Sequence, residues 1–205
     1  LAMNNTKKII KNTIVITLLG LIFSVFLSLT FNKSYPIIEK NKIDYKKNLL
    51  VQILGDTPYD NDLINSFITI EPNKLLNNKK GSNAYIAKYN NQTEAVIIES
   101  IAPDGYSGEI SLLTAISDDE KIISVRIIDH KETPGLGDYI DQNKSLWVNN
   151  FIGMNFNAKQ DSSWRVKKDQ GDFDFKAGAT ISPRAVINAV KNTLIFYQEN
   201  KEKFI

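Results

Sequence analysis

Cysteine is absent from the 205 residues and histidine occurs once, as His130. Without a thiolate there is no disulfide framework, no cysteine zinc site, no protein-ligated iron–sulfur cluster and no thiol redox couple. One imidazole cannot form a histidine cluster for a transition metal, and any Ser-His-Asp arrangement would have to use His130. No metal site and no catalytic nucleophile are expected, so redox chemistry on this chain requires an organic cofactor. Carboxylates are scattered, and no glycosidase-like pair stands out from spacing. Neither G-x-G-x-x-G nor G-x-x-x-x-G-K-[ST] occurs, which removes the common dinucleotide and P-loop fingerprints. What remains is an ordinary foldable composition, 42% apolar and 23% charged.

Charge is unevenly placed. Residues 1–47 carry eight Lys against Glu39 and Asp44, a balance of +6, which leaves −4 on the rest of a chain whose net charge is +2. An acidic folded part argues against nucleic acid as a partner. From Asn12 to Asn32 no residue carries a formal charge, and the run between Lys11 and Lys33 is dominated by Ile, Leu, Val and Phe. About 20 such residues, at about 1.5 Å each, cross a hydrocarbon core of about 30 Å. The Thr and Ser within the run can bond back to their own helix backbone. A cleaved signal peptide is the rival reading, but the run exceeds the usual apolar core of one and no A-x-A site follows. The expectation is a retained single transmembrane helix over 12–32, with 1–11 cytoplasmic. Five Lys follow the span and three precede it, yet long domains translocate largely regardless of charge, which favours an inside N-terminus. Leu1-Ala2 ahead of Met3 points to a natural start at Met3.

Beyond the span, residues 37–54 show an imperfect helical pattern, and 33–54 are expected to form a membrane-proximal helix or stalk. Residues 55–83 hold turn and loop signals, including Gly55-Asp56-Thr57-Pro58 and the Asn77–Ser82 stretch. Strands are expected at 84–89, 95–101, 109–117 and 121–128, with short connections that favour antiparallel pairing. An amphipathic stretch covers 146–154, and a helix runs from about Pro183 to Glu199 with Val186, Ile187, Val190 and Leu194 on one stripe. The expected fold class is α+β, with one domain over 55–205 built on a mainly antiparallel sheet.

Three segments could carry chemistry. In Asp174-Phe175-Lys176-Ala177-Gly178-Ala179-Thr180-Ile181-Ser182-Pro183-Arg184, Ser182 reads as an N-cap with Pro183 at the first helical position. Gly178 and Ala179 then lie ahead of a helix N-terminus, where an anion is favoured and Thr180 presents a hydroxyl. That geometry suits a phosphate, bound or attached through the Thr oxygen, although on the residues alone a loop capping a helix is the plainer reading. In His130-Lys131-Glu132-Thr133-Pro134-Gly135-Leu136-Gly137-Asp138, the two Gly around Leu136 allow close backbone approach to a flat ligand. A polar turn at a strand exit describes the same residues. Ala102-Pro103-Asp104-Gly105-Tyr106-Ser107-Gly108-Glu109-Ile110 reads as a turn between strands.

Together with the anchor, these segments resemble the G subunit of the Rnf (Rsx) electron-transport complex, a family similar to the C subunit of the sodium-translocating NADH:quinone reductase. Val166-Lys167-Lys168 and Gly171-Asp172-Phe173-Asp174 add to the likeness. The resemblance implies an FMN-binding domain in which Thr180 carries FMN through a phosphoester. It also implies a flavin-transferase recognition motif falling on Asp174, Ala177, Gly178, Ala179 and Thr180, where Ala177 stands in place of the usual Ser or Thr. Cofactor contacts would come from Gly178, Ala179, Ser182, His130, Glu132, Thr133, Gly135, Leu136 and Gly137. A magnesium-dependent FAD:protein FMN transferase would install the flavin, making Thr180 an acceptor rather than a catalyst. The implied protein is a flavoprotein subunit of a bacterial inner-membrane translocase with its main domain in the periplasm. It would relay electrons among the other subunits, in ferredoxin- and NAD-linked transport coupled to ion movement or in reducing a redox-sensing regulator. The competing reading is a membrane-anchored binding or assembly module without flavin.

Overall fold

The computed structural model describes residues 2–204; Leu1, ahead of the expected start, lies outside them. The chain forms two compact units, residues 1–46 and 47–205.

Helix α1 spans Ala2–Leu54, and Pro36 lies inside it without ending it. Among the described residues it is the helix long and apolar enough to cross a membrane, with a mean hydropathy of 2.5 in its most apolar window. Leu18, Phe23, Phe26 and Leu27 are exposed in this unit, so their apolar surface has no protein partner. The hydroxyls of Thr13, Thr17 and Thr30 donate to the carbonyls of Ile9, Thr13 and Phe26 at 3.0, 2.9 and 2.9 Å. These three hydroxyls are therefore satisfied by their own helix.

In the second unit, five strands form one sheet in the order β1-β2-β3-β4-β5, every pair antiparallel. They are β1 (Phe67–Ile70), β2 (Ser82–Tyr89), β3 (Gln92–Ala102), β4 (Ile110–Ser117) and β5 (Ile122–Asp129). Helix α2 covers Ile181–Asn200. The α+β class with an antiparallel sheet is thus the one expected. The four expected strands correspond to β2–β5, and β1 is an addition from a segment that reads as loop. Asn90 and Asn91 both take positive φ, 49° and 65°, between the paired residues Tyr89 and Gln92. A two-residue turn of that handedness matches the twist of the strands it joins, and Asn tolerates it.

Both faces of the sheet are covered, which explains why β2, β3 and β4 read as near-continuous apolar runs rather than alternating ones. On one face Val96, Ile98, Leu112, Ile116 and Val125 pack in one cluster with Val186, Val190 and Leu194 of α2. On the other, Tyr85, Ile97 and Leu113 pack with Leu49, Leu50, Ile53 and Leu54, so the last two turns of α1 belong to the globular unit. Thr193 ties α2 to the sheet, its hydroxyl hydrogen-bonded to that of Ser100 at 2.9 Å.

Between β5 and α2 the chain runs through about fifty residues of turns and short 3-10 segments. The amphipathic stretch at 146–154 forms one of these, Trp147–Phe151. An aromatic cluster anchors the region. Phe151 and Phe173 lie 4.7 Å apart, Trp147 meets Phe151 edge-on at 5.5 Å, and Trp164 sits 5.9 Å from Phe173. Gly171 is required there, because a Cβ would fall 2.1 Å from the Arg165 carbonyl oxygen.

Candidate functional site

α2 begins two residues earlier than the sequence pattern indicates. Thr180, not Ser182, is the N-cap residue, and its side chain makes no capping bond. Ser182 is buried and already committed, its hydroxyl donating to Glu132 Oε2 at 2.6 Å. Pro183 falls in the first turn, where its missing N–H removes no intrahelical bond. Freed from capping, the Thr180 oxygen accepts a hydrogen bond from Arg184 Nη1 at 3.2 Å, one helical turn on. Arg184 is held in turn by Asp169, with Nε to Oδ2 at 2.6 Å and Nη2 to Oδ1 at 2.8 Å, a bidentate fork. The guanidinium beside Asp169 holds its carboxyl below the usual carboxylate range, and the carboxylate holds Arg184 protonated above its usual value.

The chain leading to Thr180 is pinned from below. Ala179 N–H donates to the Lys176 carbonyl at 3.1 Å, closing a turn with Gly178 at its third position. Gly178 has φ +81°, a conformation that side chains with a Cβ rarely adopt. The Tyr139 hydroxyl spans the turn, donating to the Ala179 carbonyl at 2.9 Å and accepting from Lys176 N–H at 3.3 Å. Burial raises the Tyr139 phenol above its ordinary value. Trp147 Nε1 donates to the Asp174 carbonyl at 2.7 Å, while the Asp174 carboxylate pairs with Lys167 at 2.6 Å on the surface. The run from Asp174 to Gly178 consequently presents exposed side chains on a backbone fixed at both ends.

Glu132 joins the three segments. Its Oε1 accepts from Ser107 N–H at 3.1 Å, its Oε2 from Ser182, and its own N–H donates to His130 Nδ1 at 3.1 Å. Burial of this carboxylate, 5% exposed, is tolerable because donors reach both oxygens. Gly137 must be glycine for this packing, since a Cβ would fall 2.5 Å from Glu132 Oε2 and 3.2 Å from Ser182 Oγ.

A cavity of about 320 Å³ opens above this arrangement, lined by Tyr106, Glu132, Thr133, Leu136, Gly137, Lys168, Gly178, Ala179, Thr180, Ile181 and Ser182. That volume is at the lower end of small-molecule sites, roughly 300–1,000 Å³. Eight residues singled out from sequence meet on it: Gly178, Ala179, Thr180, Ser182, Glu132, Thr133, Leu136 and Gly137. His130, Gly135, Asp174 and Ala177 do not line it. The His130 imidazole faces Asp141 at 3.7 Å, and Gly135 N–H caps Asp138 at 2.8 Å, so both shape the loop. Sequence reading missed Tyr106, Lys168 and Ile181 as walls, and Asp169, Arg184 and Tyr139 as supports. For Arg184 a signal existed, since residues four apart on a helix share a face.

These residues suit a flat cofactor with a phosphate. Tyr106, Leu136 and Ile181 offer exposed apolar surface on the walls, 71%, 47% and 46% accessible. Lys168, Arg184 and the N-terminus of α2 put positive potential beside the Thr180 hydroxyl. No group of three or more His, Asp or Glu side chains is placed to hold a metal among the described residues.

Comparison with known proteins agrees with this chemistry. The FMN-binding domain family model matches residues 105–195, which contain the whole cavity. The chain is 36% identical over 199 residues to the G subunit of the ion-translocating oxidoreductase complex of Shewanella piezotolerans, covering 97% of this chain and 94% of that one. It is 38% identical over 199 residues to the corresponding protein of Shewanella loihica, with the same coverage. Against that of Pseudoalteromonas atlantica it is 39% identical over 194 residues, 95% of this chain and 90% of the relative. With likeness of that degree along nearly its whole length and the cavity inside the matched domain, the chain belongs to the family of G subunits of ion-translocating oxidoreductase complexes and contains that family's FMN-binding domain.

Proposed function

We propose that this chain is a membrane-anchored flavoprotein subunit that carries FMN on Thr180 and relays electrons between neighbouring subunits of an ion-translocating oxidoreductase complex. The observation that carries the reading is the Thr180 hydroxyl, free of capping duty, on the lining of the cavity and beside Arg184. The FMN would supply reversible electron transfer, which no side chain of this cysteine-free protein provides. Attachment forms the Thr180 Oγ–phosphorus bond, breaks the pyrophosphate bond of FAD and releases AMP and the hydroxyl proton. A separate FAD:protein FMN transferase performs it, reading the exposed run from Asp174 through Gly178. Tyr106, Leu136 and Ile181 would then hold the ring and exclude water, while Lys168, Arg184 and the α2 N-terminus hold the phosphate end. The apolar helix anchors the chain in the inner membrane, with the N-terminus inside and the folded unit in the periplasm.

The test is direct. Chain co-expressed with the transferase is denatured, run on a gel and viewed for flavin fluorescence, and its intact mass is measured. Fluorescence that co-migrates with the wild type, a mass increase of one FMN, and loss of both in Thr180→Ala are the expected results. A non-fluorescent wild type with unmodified mass defeats the covalent flavin and leaves a membrane-anchored binding module. Added protease outside the inner membrane should remove the folded unit; full protection overturns the orientation.

A further inference from the structure

We infer that Arg184, clamped by Asp169, orients the Thr180 hydroxyl for modification and is the counter-charge of the phosphodiester formed there. The inference rests on the flavin attachment proposed above and adds a residue that acts through another.

Three features of the geometry support it. Two of the three guanidinium nitrogens of Arg184 are taken by Asp169, Nε and Nη2, which leaves Nη1 as the group that reaches Thr180 at 3.2 Å. A guanidinium held by a bidentate carboxylate has little freedom, so its remaining N–H groups point in a set direction. Because the Thr180 oxygen accepts from Arg184, its own proton points elsewhere, away from the cation. A base on an approaching transferase therefore meets the O–H rather than a lone pair.

Charge follows the same path. When the Oγ–phosphorus bond forms and the hydroxyl proton leaves, a neutral side chain becomes a phosphodiester with one negative charge. That charge sits on the non-bridging phosphate oxygens, two bonds from the oxygen already facing Arg184. A cation fixed in advance stabilises developing charge without having to reorganise. Arginine suits the place better than lysine, since it stays protonated and offers a second N–H on the same edge. Asp169 is 35% exposed and Arg184 37% exposed at the side chain, so the pair remains within reach of a docking enzyme.

The experiment uses the full chain in detergent, produced without the transferase and then given purified transferase, magnesium and FAD. Initial rates of covalent labelling are read by in-gel fluorescence for wild type, Arg184→Gln, Arg184→Lys and Asp169→Asn. The phosphorus-31 resonance of each labelled chain is recorded, with thermal melts of the unlabelled chains beside them. Arg184→Gln should slow labelling by roughly tenfold or more, the scale set by losing one charge-assisted hydrogen bond. Arg184→Lys and Asp169→Asn should fall between, and the phosphorus resonance should move in Arg184→Gln. If Arg184→Gln does not fold, a lower rate in Asp169→Asn and its displaced phosphorus resonance carry the inference. Wild-type rates and an unmoved resonance in folded Arg184→Gln, or in Asp169→Asn where Arg184→Gln fails to fold, overturn the role of Arg184 and leave the flavin standing. A wild type that is never labelled overturns both.

Discussion

At the residue scale, the site depends on a few hydroxyls and carboxylates that each hold two partners. Tyr139 is the clearest case. Its phenol oxygen bonds the Ala179 carbonyl and the Lys176 N–H, the two ends of the turn that delivers Thr180. Ala179 is buried, so Tyr139→Phe leaves its carbonyl without a donor and costs roughly 1–3 kcal/mol. In a unit of this size each kcal/mol lowers the melting temperature by about 2–4 °C. The expected outcome is therefore a modest drop in melting temperature together with slower covalent labelling at Thr180, because the turn is no longer held. A variant that melts lower but labels at the wild-type rate would show that the Tyr139 bonds serve stability alone. The same two-partner logic makes Glu132 the joint between the loop at Ser107, its own loop and Ser182.

At the scale of elements, α2 does two jobs with opposite ends. Its N-terminus faces the cavity, while its C-terminal part seals the sheet beside the β4–β5 turn. There Tyr197 is buried, and burial together with Asp118, Glu120 and Asp119 pushes its phenol up to about 12. Lys201, which pairs with Asp118 and Glu120, offsets part of that acidic field. An unfolded tyrosine titrates near 10, so the folded chain keeps a proton that the unfolded chain loses. The stability tied to the neutral phenol is complete below pH of about 10 and drains away as pH rises towards about 12. Urea midpoints measured across that interval should fall for the wild type and fall less for Tyr197→Phe; identical slopes would remove Tyr197 from the alkaline limb. The helix itself was readable from the spacing of Val186, Val190 and Leu194, and β2–β5 from their β-branched runs. β1 was not, because four residues, Phe67–Ile70, between turn signals carry too short a pattern to separate strand from loop. The α2 start was misread for a different reason. Ser182 has the composition of an N-cap, but Glu132, fifty residues earlier, takes its hydroxyl, and no local pattern encodes a long-range carboxylate. The cavity residues on the two Gly-containing loops could be picked out one by one. That Lys168 and Tyr106 share their cavity depends on the fold of the long segment between β5 and α2, whose aromatic packing has no periodicity to read.

For the whole molecule, the decisive boundary is where the anchor stops and the folded unit starts. Residues 33–54 read as one stalk, yet Leu49, Leu50, Ile53 and Leu54 are all buried, at 3% exposure or less, in the cluster that covers one face of the sheet. Without them Tyr85, Ile97 and Leu113 keep only Leu63, Tyr59 and Ile64 from the following segment beside them in that cluster. Full burial of one such side chain contributes about 1.5–3 kcal/mol, so four together rival the 5–15 kcal/mol that typically holds a domain. A chain beginning at Lys47 keeps this cover and sheds the apolar helix. It should be soluble without detergent, melt cooperatively and still accept flavin at Thr180 from the transferase. A chain beginning at Gly55 keeps every cavity residue but bares the sheet face, and it should aggregate or melt far lower. Size-exclusion profiles and thermal melts of the two chains, run side by side, decide the matter. Equal stability of the two would mean that the end of α1 is a dispensable stalk. A stable Lys47 chain beside a failing Gly55 chain would show that the same helix that carries the membrane anchor also completes the core supporting the site.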